Sequence, residues 1–244
     1  MKTPLLEIAA NSVASALAAQ EGGADRIELC AALELGGLTP SHATIALARE
    51  RLRIPVYVLI RPRDGDFLYN DLECETMARD IETCKALGCD GVVIGALDAD
   101  GNVDIVRSRS LISAAGNLGV TFHRAFDVTR DPRLALENVI ALGCERVLTS
   151  GARARALVGV NLIATLIAQA ADRIVVMPGA GIDEHTITAV RAATGAREFH
   201  ASAKRALPSA MRHVAFAGSG MDAGELRSDV ERVRALVSAL RAAP

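Results

Sequence analysis

The sequence predicts an α/β fold, a (β/α)8 TIM barrel with an extra C-terminal helix, in a single domain over residues 1–244. Three observations carry this. Eight short apolar runs alternate with Ala- and Leu-rich stretches of helical spacing, the pattern of parallel βαβ units. A weak motif, Gly followed by Ala or Cys and two residues later by a strand, occurs at Gly23, Gly88, Gly143 and Gly195, ahead of strands two, four, six and eight. Such a two-unit period suggests eight units closed on themselves. The length of 244 residues lies close to the usual ~250 of this fold. A doubly wound open sheet is the alternative, but no GxGxxG follows the first strand.

The elements follow in order. Strands are expected at Leu5–Ala9, Arg26–Cys30, Pro55–Arg61, Gly91–Ala96, Gly119–Arg124, Arg146–Ser150, Arg173–Pro178 and Glu198–Ser202, each a short apolar run. Helical spacing marks Ser12–Glu21, Leu72–Leu87, Asp104–Ala115, Pro132–Leu142 and Asp183–Ala193 between them. The four repeated glycines suit helix ends in the left-handed conformation. Ala206–Gly220 reads as a loop. Gly224–Leu240 then repeats Leu226, Val230, Val233, Leu236, Val237 and Leu240 at helical spacing, a C-terminal helix over about 222–241. It either closes the barrel bottom or pairs with a second subunit, and a homodimer is the oligomer it favours.

Composition narrows the functional classes. Half the residues are hydrophobic, 23% are charged and the net charge is −2, which excludes disorder and low complexity. No apolar run approaches the ~20 residues that span a bilayer, so no membrane partner is expected. The start, Met1 to Glu7, lacks the basic-then-apolar pattern of a secretory signal. Without a basic block, and with no Trp, nucleic acid is not an expected partner. Five irregularly spaced cysteines with no CxxC pair argue against a disulfide framework and for a cytoplasmic setting. Cys84 and Cys89 read as structural.

In a barrel of this kind ligands bind at the C-terminal strand ends, and period-two alternation selects the inward side chains. This turns Glu7, Glu28, Cys30, Arg61, Thr121, His123, His200 and Ser202 inward. The expected cleft holds Glu7, Glu28, Arg61, His123, Arg124, Ser150 and His200. Glu28 and His123 are the candidate catalytic acid–base pair, with Arg61 and Arg124 holding an anion. The competing reading is a self-satisfied salt-bridge network filling the barrel. The loop Arg61–Phe67 is either a lid or a solvated turn. Gly179 and Gly181, after strand seven, are positioned to offer backbone N–H groups to an anion, and Ser202-Ala203-Lys204 follows strand eight. HExxH and paired-His spacings are missing, so a metal would have to assemble from strand ends, such as Cys30 with Glu28, His123 or His200.

Several runs in order resemble the CutC family of copper homeostasis proteins: Gly22-Gly23-Ala24-Asp25-Arg26-Ile27-Glu28-Leu29-Cys30, Gly36-Gly37-Leu38-Thr39-Pro40-Ser41, Ile60-Arg61-Pro62-Arg63, Val120-Thr121-Phe122-His123-Arg124-Ala125-Phe126-Asp127, Arg146-Val147-Leu148-Thr149-Ser150-Gly151, Met177-Pro178-Gly179-Ala180-Gly181-Ile182 and Glu198-Phe199-His200. The resemblance spans about residues 5–205. It implies a (β/α)8 barrel, a cytoplasmic role in copper handling, and Cu(I) as the bound cofactor, held through strand-end cysteines. Cys30 matches a family cysteine. The positions where other members carry further cysteines are Ala9 and Ala201 here, and soft thiolates are what select Cu(I). Two readings follow: a copper-homeostasis protein that binds Cu(I), or an isomerase, lyase or hydrolase acting on a small anionic metabolite through Glu/His acid–base chemistry.

Overall fold

The computed structural model describes residues 3–213 and 224–242. Eight parallel strands, β1 (Leu5–Ala10), β2 (Arg26–Leu29), β3 (Val56–Leu59), β4 (Gly91–Ile94), β5 (Gly119–Phe122), β6 (Arg146–Thr149), β7 (Val175–Pro178) and β8 (Glu198–Ala201), form one sheet. Their order is β7-β6-β5-β4-β3-β2-β1-β8. β1 pairs with both β2 and β8, which joins the first strand to the last, and β7 lies beside β8, so the barrel is nearly closed. The helices are α1 (Val13–Gly22), α2 (His42–Arg51), α3 (Asp71–Ala86), α4 (Ile105–Ala115), α5 (Pro132–Ala141), α6 (Val160–Ala170), α7 (Ile187–Thr194) and α8 (Val230–Ala242).

Local chemistry explains the boundaries. Ser12, Ser41, Asn70, Asp104 and Asp131 accept backbone N–H groups at the starts of α1 to α5. The four repeated glycines all have positive φ, 93° at Gly23, 71° at Gly88, 83° at Gly143 and 70° at Gly195, so the repeat is a helix-stop signal. Helix α7 begins later than the expected Asp183. The Asp183 carboxylate accepts the N–H groups of His185 and Thr186 and makes a separate turn first.

Two sequence expectations change at the C-terminus. Gly224–Ser228 is a strand, β10, not helix. It runs antiparallel to β9 (Lys204–Pro208), whose last three residues open the expected loop, with Leu226 opposite Ala206. The remaining 214–223 lies outside the described residues. The pairing is anchored on the barrel: Asn11 donates to the Leu226 carbonyl, and the Ser228 N–H donates to Ser15. The C-terminal helix, α8, lies against α1 and α7, in the place of the barrel's eighth helix. Val233, Leu236 and Leu240 are buried there. Its apolar stripe is therefore used within the chain and gives no support to a dimer.

The main apolar core lies between the outer face of the sheet and the helices, with Leu6, Ile8, Ile27, Val58, Ile94, Phe122 and Phe199 among its buried residues. Alternate residues turn inward, where a small separate cluster of Cys30, Tyr57, Leu59 and Val93 shares the barrel interior with charged side chains.

Candidate functional site

The strand register sets the electrostatics of the interior. Glu7 on β1 stands opposite Arg26 on β2 and opposite His200 on β8. The Arg26 guanidinium donates to Glu7 at 2.5 Å and to Glu198 at 2.7 Å. Arg146 donates to Glu198 and to Glu145, and the Tyr57 hydroxyl donates to Glu145. Both guanidiniums lie over the Tyr57 ring, at 5.3 and 5.1 Å. Tyr57 fits because β4 and β5 start with glycine: a Cβ at Gly91 would stand 2.2 Å from its ring. This floor is the self-satisfied network the sequence raised as its competing reading.

Above the floor, Glu28, Cys30, Arg61, His123, Arg124 and His200 line one cavity of about 270 Å³ at the C-terminal strand ends. His200 connects the two levels. Its Nδ1 lies 2.7 Å from Glu7 Oε1 and 3.3 Å from Glu28 Oε2. Burial opposes the charged form of Glu7, but Arg26 and His200 outweigh it and hold its carboxyl down to about 2. Burial drives the Glu28 carboxyl up to about 7; Glu7 adds to this, while His200 and Arg26 oppose it. Burial pushes His200 down, yet the two glutamates raise it overall. Glu28 and His200 thus form a close pair that can exchange a proton near neutrality.

His123 differs from the expectation made for it. It forms no ion pair with either glutamate among the described residues. Its Nδ1 accepts the Ala125 N–H at 3.1 Å, so the proton of the neutral ring sits on Nε2, which is buried without a partner. Burial and the Arg61 charge lower its pKa to about 3. It is a buried N–H donor at the cleft wall, and the histidine beside Glu28 is His200.

Arg61 is 6% exposed, and no carboxylate pairs with it among the described residues. It donates to the carbonyls of Leu35, Gly37 and Gly65, and its Nε is buried without a partner. Phe67, which the sequence did not single out, packs its ring 5.1 Å from that of His123 and 5.2 Å from the Arg61 guanidinium. The rest of the Arg61–Phe67 loop is a turn with internal ion pairs, since Arg63 joins Asp66 and Glu73.

The other expected site residues have structural ties. Arg124 pairs with Asp127 at 2.8 Å, and Ser150 donates to Asp127 and hydrogen-bonds Arg124. Asp127 was legible only as the last residue of the run from Val120. It is the buried acceptor that organises this loop, taking the Thr149 hydroxyl and the N–H groups of Ser150 and Ala152. Gly179 cannot offer its N–H to an anion in the cleft, because it donates to the Thr149 carbonyl at 2.9 Å. Gly181 lies in a different cavity.

Cu(I) bound between thiolates does not fit this site. Among the described residues Cys30 is the one thiol lining the cleft, and Ala9 lines the same cavity without a donor. Burial and Glu28 push the Cys30 thiol well above its ordinary value, away from the thiolate a soft metal needs. Among the described residues, the group whose ligand atoms lie within 4.8 Å of one another is Glu7, Glu28 and His200. Its oxygen and nitrogen donors suit a borderline divalent ion, and they are engaged with each other and with Arg26.

Comparison with known proteins places this architecture. The CutC family model matches residues 4–205. A CutC family protein of Xanthomonas axonopodis pv. citri is 59% identical over 242 residues, covering 98% of this chain and 99% of the relative. One from Chromobacterium violaceum is 52% identical, covering 97% and 98%. Among solved structures, one described as a copper homeostasis protein CutC from Streptococcus agalactiae superposes with a TM-score of 0.78 at 32% identity, over 81% of this chain and 98% of that one.

Proposed function

The chain belongs to the CutC family, and from that premise we propose that it acts in copper homeostasis in the cytoplasm by binding a small anionic ligand in the barrel-mouth cleft. The observation that carries this reading is Arg61. A guanidinium buried without a counter-charge is costly unless something supplies one. Its Nε and the His123 Nε2 are two buried donors without acceptors among the described residues, and both residues line the cavity. A carboxylate or phosphate would satisfy them, bidentately at Arg61. Direct Cu(I) coordination has less support, since Cys30 stands alone there.

A second reading, turnover of that ligand, is favoured by one further observation. Glu28, with its carboxyl near 7, faces His200 at 3.3 Å, and Glu7 fixes the His200 ring from below. Such a pair can deliver a proton to a bound anion and withdraw another, as in isomerase or lyase chemistry.

Thermal unfolding against a panel of anionic metabolites tests the binding reading. A ligand at 100 times its Kd should raise stability by about 2.7 kcal/mol. The gain should vanish in Arg61→Gln and persist in part in Arg61→Lys. If no anion raises the melting temperature of the wild type, the reading fails.

A further inference from the structure

A second cavity, of about 250 Å³, opens at the ends of β7 and β8 beside the start of α8. Gly181, Ser202 and Ala203 line it together with the cationic residues Arg155, Lys204 and Arg232. Two acids also line it: Asp183 is held by N–H groups, while Glu184 has a buried Oε2 with no hydrogen-bond partner among the described residues. Asp183 accepts the N–H groups of His185 and Thr186 and the Thr186 hydroxyl. Glu184 lies 3.7 Å from Arg232, whose other guanidinium nitrogen donates to the Lys204 carbonyl at 2.7 Å. Arg155 and Lys204 have no ion pair or side-chain hydrogen bond among the described residues. Arg155 and Lys204, both exposed, are therefore left without a protein counter-charge at the rim of one small cavity.

The backbone is shaped around them. The stem of Arg155 crosses Gly181 so closely that a Cβ there would stand 2.9 Å from its Cγ, and Gly181 has a φ of +66°. Ala203 in the lining, and Ala180 next to Gly181 in the chain, hold φ values of 46° and 76°, a region non-glycine residues enter at a cost.

The cavity and the cleft share no lining residue and are linked in the chain through Gly179. Gly179 packs against Leu148 and His200, which line the cleft, and two residues later Gly181 lines the second cavity. Two trans peptides span no more than about 7 Å. We infer that the second cavity seats a phosphate group, and that the ligand of the cleft is a small phosphomonoester. Its body lies against Arg61, Glu28 and His200, and its phosphate lies between Arg155, Lys204 and the Gly181 and Ala203 backbone. A phosphate carries a charge of about −1.5 to −2 at neutral pH, which matches two unpaired cations better than a carboxylate does. The inference rests on the anion-binding reading of the cleft for the ligand's body, while the phosphate seat stands on its own residues.

The test is a titration of the full chain with inorganic phosphate, followed by amide chemical shifts in the wild type, in Arg155→Gln/Lys204→Gln and in Arg61→Gln. Saturable shifts are expected at Gly181, Ile182 and Ala203. Loss of two charge-assisted contacts should weaken them about tenfold or more in the double variant. Arg61→Gln should titrate like the wild type at these amides, while the affinity for a phosphomonoester falls. No saturable shift at the loop amides, or equal shifts in the double variant, would overturn the seat. Shifts confined to the cleft would overturn it while sparing the cleft reading. Loop shifts in a protein whose cleft binds no anion would uphold the seat and remove the cleft reading instead.

Discussion

The floor and the mouth of this barrel are built from the same residue types and solve opposite problems. At the floor, Arg26 faces Glu7 and Glu198, and Arg146 faces Glu198 and Glu145, so each guanidinium has two carboxylates. At the mouth, among the described residues, Arg61 has three carbonyls and no carboxylate, and His123 ends in a buried N–H with no acceptor. Burial alone therefore does not mark a functional charge. What separates the two levels is whether the protein itself supplies the partner.

The comparison breaks most decisively at the floor. Arg26→Met should cost about 3–5 kcal/mol, because removing one partner of a buried pair strands the others, here Glu7 and Glu198. Urea denaturation at pH 7 measures it. A loss below about 1 kcal/mol would mean that the floor network is dispensable.

The mouth should answer with the other sign. Arg61→Gln removes a buried charge that no carboxylate balances, so stability in the absence of ligand should change by less than about 1 kcal/mol or rise. Ligand affinity should fall about 100-fold, the worth of a charge-assisted bidentate contact. Calorimetry on the ligand found in the anion panel, together with the same urea experiment, reads both. If Arg61→Gln destabilises as much as Arg26→Met, the distinction between the levels collapses.

Strand alternation made much of this legible. It turned Glu28, Arg61, His123 and His200 inward, and all four line the cavity. The glycine repeat located four helix ends because a left-handed residue is a local requirement. The misassigned features depend on which strands become neighbours. Glu28 pairs with His200 rather than His123 because β1 lies between β2 and β8, and no periodicity within a strand reports that order. Leu226 fits the helical spacing of the residues after it, but its backbone pairs with Ala206, 20 positions away in sequence. The Gly179 N–H is spent on the Thr149 carbonyl of β6, a partner that the sequence around Gly179 does not reveal.

Titration sharpens the contrast within the mouth itself. His123 has a folded pKa near 3 against about 6.5 unfolded, so between those values the unfolded chain binds the extra proton and stability rises with pH. Glu28 has a folded pKa near 7 against about 4.3 unfolded, so over that window the folded chain binds the extra proton and stability falls with pH. Between about pH 4.5 and 6.5 the two oppose each other. Glu28→Gln should therefore expose His123, giving stability that drops as acid is added by up to about 1.4 kcal/mol per pH unit relative to wild type. His123→Gln should tilt the curve the other way. Parallel curves for all three proteins would refute the assignment of a neutral His123 beside a protonating Glu28.

The smallest effect is expected at Cys30, and its smallness is the point. The side chain is 2% exposed, joins a minor cluster with Tyr57, Leu59 and Val93, and has its thiolate form disfavoured by burial and by Glu28. Tight Cu(I) binding there would need a second soft donor, and the Ala9 methyl in the same cavity supplies none. An anaerobic Cu(I) titration against a competing chelator should therefore give the same curve for the wild type and Cys30→Ser. Adding the missing donor turns this negative result into a positive one. Ala9→Cys should create a two-thiolate site whose Cu(I) affinity disappears again on Cys30→Ser. If the unmodified protein already binds one Cu(I) tightly and Cys30→Ser abolishes it, the mouth completes its own metal site, and the anion reading loses its ground.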